Sequence, residues 1–289
     1  MENLFFSVYK KLEEEFIELS YSIYINENQL KTFSIRIADL ILRTCSECEN
    51  IALELCKIEN IEFRDKNDKI RTFVKFKEYI DQLDKLYNLK RKEVNFDFEN
   101  CDKRTFDSSF LSPFRIDSFK DGDKDINNWK WYFAYNKIKH DRNKYFHYAN
   151  IENLIHSLGA LYILNHYLRN DKYYSKNLND KEDIIYKINQ LSKLFSVHAT
   201  PDVQNENQNL EFPNPYLFAE LLKPSSIYLI KFDKELETER DEMKNFFEQM
   251  KDCEYNEDQN GEMIKKYPDL KIIDYKTNCE LLIEVNKEY

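Results

Sequence analysis

The chain has 289 residues, with 42% hydrophobic and 15% aromatic residues and a formal charge of −10. That composition excludes wholesale disorder, and the length suits one large domain or two modest ones. Three glycines and six prolines are too few for a turn-rich all-β fold or a glycine-rich phosphate loop. No apolar run reaches the roughly 18 residues of a membrane span. The N-terminal Met1-Glu2-Asn3-Leu4 has no basic leader and soon meets Glu13-Glu14-Glu15, which reads against a signal peptide. A cytoplasmic protein is expected.

In chain order, Leu4, Val8, Leu12, Phe16 and Leu19 recur at helical spacing and predict an amphipathic helix over 3–21. The longest helical pattern covers 32–58, through Ile37, Leu40, Ile41, Cys45, Cys48, Ala52 and Leu55. It carries a charged stripe, Asp39, Arg43 and Glu47, which reads either as a solvated ladder of ion pairs or as one wall of a polar site. Cys45 and Cys48 form the chain's one C-x-x-C. With no second pair they complete no four-thiolate zinc site, and buried thiols are the simpler alternative to a structural metal or redox site. Residues 71–89 are helical again, through Phe73, Phe76, Ile80, Leu83 and Leu86. Residues 90–125 are too long for a plain loop, and are expected to hold short strands or to wrap over the segment that follows.

Helical patterns resume over 126–139, from about 144 to 169, and over 181–195. Trp129 and Trp131 read as core, and His156 and His166 as structural. Residues 196–215, with Pro201, Pro213 and Pro215, read as a linker. Beyond it the pattern gives a strand at 226–232, a charged helix at 235–251 and a hairpin joining 271–275 to 280–285. The expected fold is mainly α: a bundle of about five to six helices over 1–195, the linker, and a small mixed α/β appendage over 216–289.

The segment between the helices at 126–139 and 144–169 stands apart. From Trp129 to His147 it holds five Lys/Arg (Lys130, Lys137, Lys139, Arg142, Lys144), one acid (Asp141) and two of the five histidines. A basic island in an acidic chain is inconsistent with a general RNA-coating protein but consistent with one focused cationic cleft. No His-Glu-x-x-His, Walker loop, Gly-x-Ser-x-Gly elbow or two-metal carboxylate cluster appears, so no metal and no cofactor is expected. An Arg and a His placed together can cleave RNA without a metal. RNA carries its own nucleophile, the 2′-hydroxyl; histidine moves protons near neutral pH and arginine holds phosphate. On one regular helix Arg142 and His147 stand about 140° apart. Convergence needs a helix start here, with Asp141 or Asn143 as N-cap, or a second copy of the chain.

Arg142-Asn143-Lys144-Tyr145-Phe146-His147 resembles the Arg-x4-His signature of the HEPN superfamily, as do the flanking helices and the run Tyr135-Asn136-Lys137-Ile138-Lys139-His140-Asp141-Arg142. The likeness spans roughly residues 30–195 and implies a HEPN-like helical bundle. Members are typically homodimeric, metal-independent endoribonucleases whose two motifs build one cleft, and many are toxins, abortive-infection or other antiphage effectors. By position, Arg142 then stabilises phosphate charge, His147 acts as general acid/base or orients the 2′-hydroxyl, and Asn143 supports the pair. Lys137, Lys139, His140 and Lys144 are expected to touch RNA, and Glu47 is a candidate supporting carboxylate. An antitoxin or defence-system partner is implied. Relatives paired with a nucleotidyltransferase antitoxin carry Tyr two residues after the His, where this chain has Ala149. The alternative is a HEPN-like module that dimerises or scaffolds a partner without turnover.

Overall fold

The computed structural model describes residues 4–102, 110–175, 180–201, 223–232 and 281–287. Among the described residues the helices are α1 (Leu4–Ser20), α2 (Ile35–Ile58), α3 (Phe76–Tyr87), α4 (Lys130–His140), the single turn α5 (Arg142–Tyr145), α6 (Ile151–Arg169) and α7 (Asp180–Asn189). The strands are short: β1 (Val94–Phe96), β2 (Phe110–Leu111), β3 (Asp117–Asp121), β4 (Lys124–Asn128), β5 (Lys172–Ser175), β6 (Phe195–Ser196), β7 (Ala199–Pro201), β8 (Tyr228–Phe232) and β9 (Leu281–Val285). The fold is helix-dominated with small sheets.

α6 is the axis. It buries fifteen of its nineteen residues, so it is enclosed on every face rather than along one stripe. α2 lies along it most extensively, and α1 and α4 cover further sides, while α3 packs on α2. Cys45 and Cys48 are buried thiols in α2, and the Cys48 thiol faces the Ser157 carbonyl of α6 at 3.9 Å. Trp129 and Trp131 are core residues. Their indole N–H groups donate to the carbonyls of Phe114 at 2.6 Å and Pro113 at 2.7 Å, so neither ring buries an unpaired donor. Gly159 lets this layer approach α6: a β-carbon there would stand 3.3 Å from Pro113 Cγ and 3.4 Å from Val94 Cγ2.

Three sheets attach to the bundle, in the orders β2-β1-β6, β3-β4 and β5-β9-β8-β7. The third takes strands from both sides of the boundary expected near residue 195. β5, directly after α6, pairs antiparallel with β9, and β9 with β8. Behind this sheet His166 Nδ1 pairs with the Tyr228 hydroxyl at 2.8 Å, and the Tyr167 hydroxyl donates to the Asn286 carbonyl at 2.9 Å. Burial pushes the His166 imidazole down to about 3, consistent with the structural role expected of it.

Several boundaries move. Residues 199–201, at the start of the expected linker, are strand β7, pairing in parallel with β8. The helix expected over 126–139 begins only at Lys130, because residues 124–128 pair with 117–121 as a hairpin. The helix expected from about 144 is broken before Ile151: Ala149 turns out of helical geometry with ψ 58°, and Asn150 starts a new helix as its N-cap. The strand expected at 226–232 is β8 and the second hairpin strand is β9. The expected helix at 235–251 and the strand at 271–275 lie outside the described residues.

Lys92 ties β1 to the C-terminal strands. It is fully buried, its ammonium donates to the Ser226 carbonyl at 3.0 Å, and burial pushes its pKa down to about 7. An unfolded lysine titrates near ~10.4. Between those values the unfolded chain binds more protons, so stability rises with pH across that window. Lys92→Met removes the buried amine. Urea unfolding is expected to show it more stable than the parent near neutral pH, by on the order of a few kcal/mol, with the gap closing as pH approaches 10. A variant less stable at neutral pH would show that the ammonium is well accommodated.

Candidate functional site

The basic island spans α4 and the two short turns that join it to α6. Asp141 ends one helix and starts the next. Its N–H donates to the Lys137 carbonyl at 3.0 Å, and its carboxylate caps α5 by accepting the Lys144 N–H at 3.2 Å. Of the two N-caps the sequence offered, Asp141 is the one used. A carboxylate therefore occupies the mouth of α5, where free backbone N–H groups would otherwise favour an anion such as phosphate. A 3-10 turn, Phe146–Tyr148, follows and ends at Ala149.

Asn150 then fixes the second boundary. Its side-chain oxygen accepts the Asn153 N–H at 3.0 Å and its amide donates to the His147 carbonyl at 3.2 Å. Asn153 holds the Tyr148 carbonyl at 3.0 Å. The first amides of α6, Ile151 and Glu152, donate to the Thr32 and Leu30 carbonyls. Phe146 packs edge-on against Phe33, ring centroids 5.4 Å apart. The turn bearing His147 is thus pinned at its backbone while its side chain faces outward.

Arg142, Asn143 and His147 are all exposed. Among the described residues Arg142 and Asn143 make no side-chain hydrogen bond or ion pair, and no contact joins Arg142 to His147 within one chain. The helix start alone therefore does not converge the pair. Asn150 is the amide that holds the His147 carbonyl. The His147 ring lies against Tyr148, with centroids 4.3 Å apart and planes inclined by 36°.

The remaining cations are differently placed. Lys137 is committed to Asp121 of β3 at 2.7 Å and sits 4.3 Å from the Tyr145 ring centroid. Lys144 lies 5.1 Å from the same ring. Between them, Lys144 first and Lys137 next, the two ammonium groups lower the Tyr145 phenol below its ordinary range. Lys139 donates to the Tyr135 hydroxyl at 2.9 Å. His140 is exposed at the end of α4. Glu47 lines a groove of about 390 Å³ with Ser7, Val8, Lys11, Leu12, Arg43 and Ser46, on the α1 side of α2. The α2 carboxylate that reaches α4 is Glu49, which accepts the hydroxyls of Tyr132 at 2.9 Å and Tyr135 at 3.2 Å. Arg43 pairs with Asp39 and Glu15, so that end of the stripe is a ladder.

Sequence reasoning passed over Asp121. It accepts from Lys137 and from the Tyr148 hydroxyl at 2.9 Å, and those two bonds, Lys137 before Tyr148, hold its carboxyl below the usual range. The available signal was Gly122-Asp123, which forms the two-residue turn directly after Asp121; Gly122 adopts φ +63°, as the first position of a type II′ turn requires. Asn150, directly before an apolar run, was a legible N-cap. Among the described residues no group of His, Cys, Asp and Glu is arranged to hold a metal ion. Compared with known proteins, the chain matches no family model, no curated protein and no solved structure.

Asn150→Ala removes a helix cap and leaves the His147 carbonyl without its amide. It is expected to lower unfolding stability by about 1–2 kcal/mol, whereas exposed Asn143→Ala changes it by less than about 0.5 kcal/mol. Equal effects in urea titrations would contradict the placement of these two amides.

Proposed function

We propose that the chain is a metal-independent endoribonuclease of HEPN type, working as a homodimer whose cleft is lined by Arg142 and His147 of each copy. The observation that carries this reading is the presentation of the pair. A cation with no partner among the described residues and an imidazole sit five residues apart on two successive, solvent-facing turns. Structural cations tend to be paired, as Lys137 and Arg43 are. Two copies facing each other across this turn supply the convergence that one chain lacks.

The chemistry follows from the groups present. One neutral His147 takes the proton from the 2′-hydroxyl, whose oxygen attacks the adjacent phosphorus. The 5′-oxygen leaves, taking a proton from the His147 imidazolium of the second copy. Arg142 holds the non-bridging oxygens as negative charge builds on them. The products are a 2′,3′-cyclic phosphate and a 5′-hydroxyl. Lys139, His140 and Lys144 extend the cationic surface along the strand, and Lys137 joins them if phosphate displaces Asp121. The resemblance supports a role as a toxin or antiphage effector acting in the cytoplasm with an antitoxin or defence partner.

A second reading, a dimerisation or scaffold module without turnover, draws on the apolar surface beside the motif. Phe33 is 47% exposed and Ile35 72%, more than a cleft for a polyanion needs.

Cleavage of total RNA in EDTA separates the two. The parent protein is expected to cut and leave 2′,3′-cyclic phosphate ends. Arg142→Ala and His147→Ala are expected to lose about 100-fold or more of that activity while keeping their circular dichroism. Equal cleavage by all three proteins sinks the assignment to this motif. No cleavage by a folded dimeric parent favours the scaffold.

A further inference from the structure

The β3–β4 hairpin lies outside the Arg/His motif yet brings a carboxylate to it. Asp117, Phe119 and Asp121 of β3 are half-buried, while Ser118 and Lys120 between them are exposed. The half-buried set faces α4. Phe119 meets Phe133 edge-on with centroids 5.2 Å apart, and Asp121 meets Lys137 one helical turn further on, at 2.7 Å. Two residues along a strand advance roughly 6.6 Å and four along a helix roughly 6 Å, so strand and helix stay in step across both contacts.

The second oxygen of Asp121 accepts the Tyr148 hydroxyl at 2.9 Å. Phe133 meets the Tyr148 ring edge-on at 5.6 Å. The Tyr148 ring is thus held at its hydroxyl and along its edge, and it is the ring against which His147 lies, at 4.3 Å. An exposed imidazole on a 3-10 turn has several rotamers open to it. A neighbouring ring fixed in place removes some of them by blocking one face. After Lys137 and Tyr148, the charge of His147 is among the influences that lower the Asp121 carboxyl, which places that carboxylate within the electrostatic reach of the imidazole.

We propose that Asp121 is a positioning residue for the Arg/His site, acting through Tyr148 to fix the orientation of the His147 imidazole for proton transfer. The kinetic half of this proposal rests on the ribonuclease reading; the structural half rests on the hairpin geometry alone.

Three substitutions separate the contributions. Asp121→Asn keeps an acceptor for Tyr148 and removes the charge. Asp121→Ala removes both. Tyr148→Phe keeps the ring and removes the hydroxyl. The probe is a single-stranded oligoribonucleotide of mixed sequence, cleaved in EDTA. Asp121→Ala and Tyr148→Phe are expected to lower kcat by roughly 10- to 100-fold with KM within about twofold. Asp121→Asn falls between them and the parent. Beside this, NMR of the His147 imidazole, assigned by its disappearance in His147→Ala, reports the geometry without any turnover. The upfield shift that the Tyr148 ring imposes on the imidazole protons is expected to shrink in Asp121→Ala and Tyr148→Phe. A parent that cleaves no RNA removes the ribonuclease reading and leaves the NMR arm to decide the geometry. Imidazole shifts unchanged in both variants overturn the proposal, as does an undiminished kcat. A lower KM with a higher kcat in Asp121→Ala also overturns it, by showing that Asp121 masks Lys137 from RNA.

Discussion

The burial of α6 on all sides is the constraint on which the rest of the structure depends. A helix enclosed by α1, α2 and α4 has a fixed axis and a fixed starting point. Asn150 marks that start, and the same side chain grips the His147 carbonyl. The exposed turn of the motif is therefore referenced, through one amide, to a helix buried on every face. Functional side chains carried on short turns need such a reference, because the turns themselves are too short to hold a geometry.

Electrostatics at the site follow from which cations are engaged. Lys137 answers to Asp121, and Lys144 lies over Tyr145 together with it. Arg142 is exposed and has no side-chain partner among the described residues. A charge tally along the sequence treats these groups as equal, and the fold does not. The resulting surface is less uniformly basic than the sequence suggests and more localised, with an arginine and an imidazole at its exposed edge and an acid close behind.

The elements whose signals are local were legible in the sequence. The periodic apolar positions of α1, α2 and α3, the buried Trp129 and Trp131, the inert Cys45 and Cys48 and the capping role of Asp141 all follow from residues within a few positions of one another. What was not legible depends on partners distant in sequence. Glu47 and Glu49 lie on the same helix two residues apart, roughly 200° around its axis, and only the packing of α4 shows that Glu49 is the one that meets Tyr132 and Tyr135. Asp121 reads only as the residue before a turn until the hairpin is laid along α4. The break at Ala149 is hidden because Tyr148 and Ile151 continue a helical period that the backbone does not follow. The polar positions of α6, such as Asn153, Ser157 and Asn165, are buried and hydrogen-bonded rather than facing solvent, so polarity alone does not mark a solvent side of that helix.

The sheet β5-β9-β8-β7 has a consequence for how the molecule matures. β9 separates β5 from β8, and its partner β5 precedes it by on the order of a hundred residues, the kind of long-range pairing that makes folding slow. A growing chain presents the whole Arg/His turn well before β9 exists. Until that strand arrives, Tyr167 at the far end of α6 lacks the Asn286 carbonyl that receives its hydroxyl. The helix to which the motif is referenced is then open at its other end. Vectorial synthesis thus separates the appearance of the turns that carry Arg142 and His147 from the completion of the sheet that closes the far end of α6.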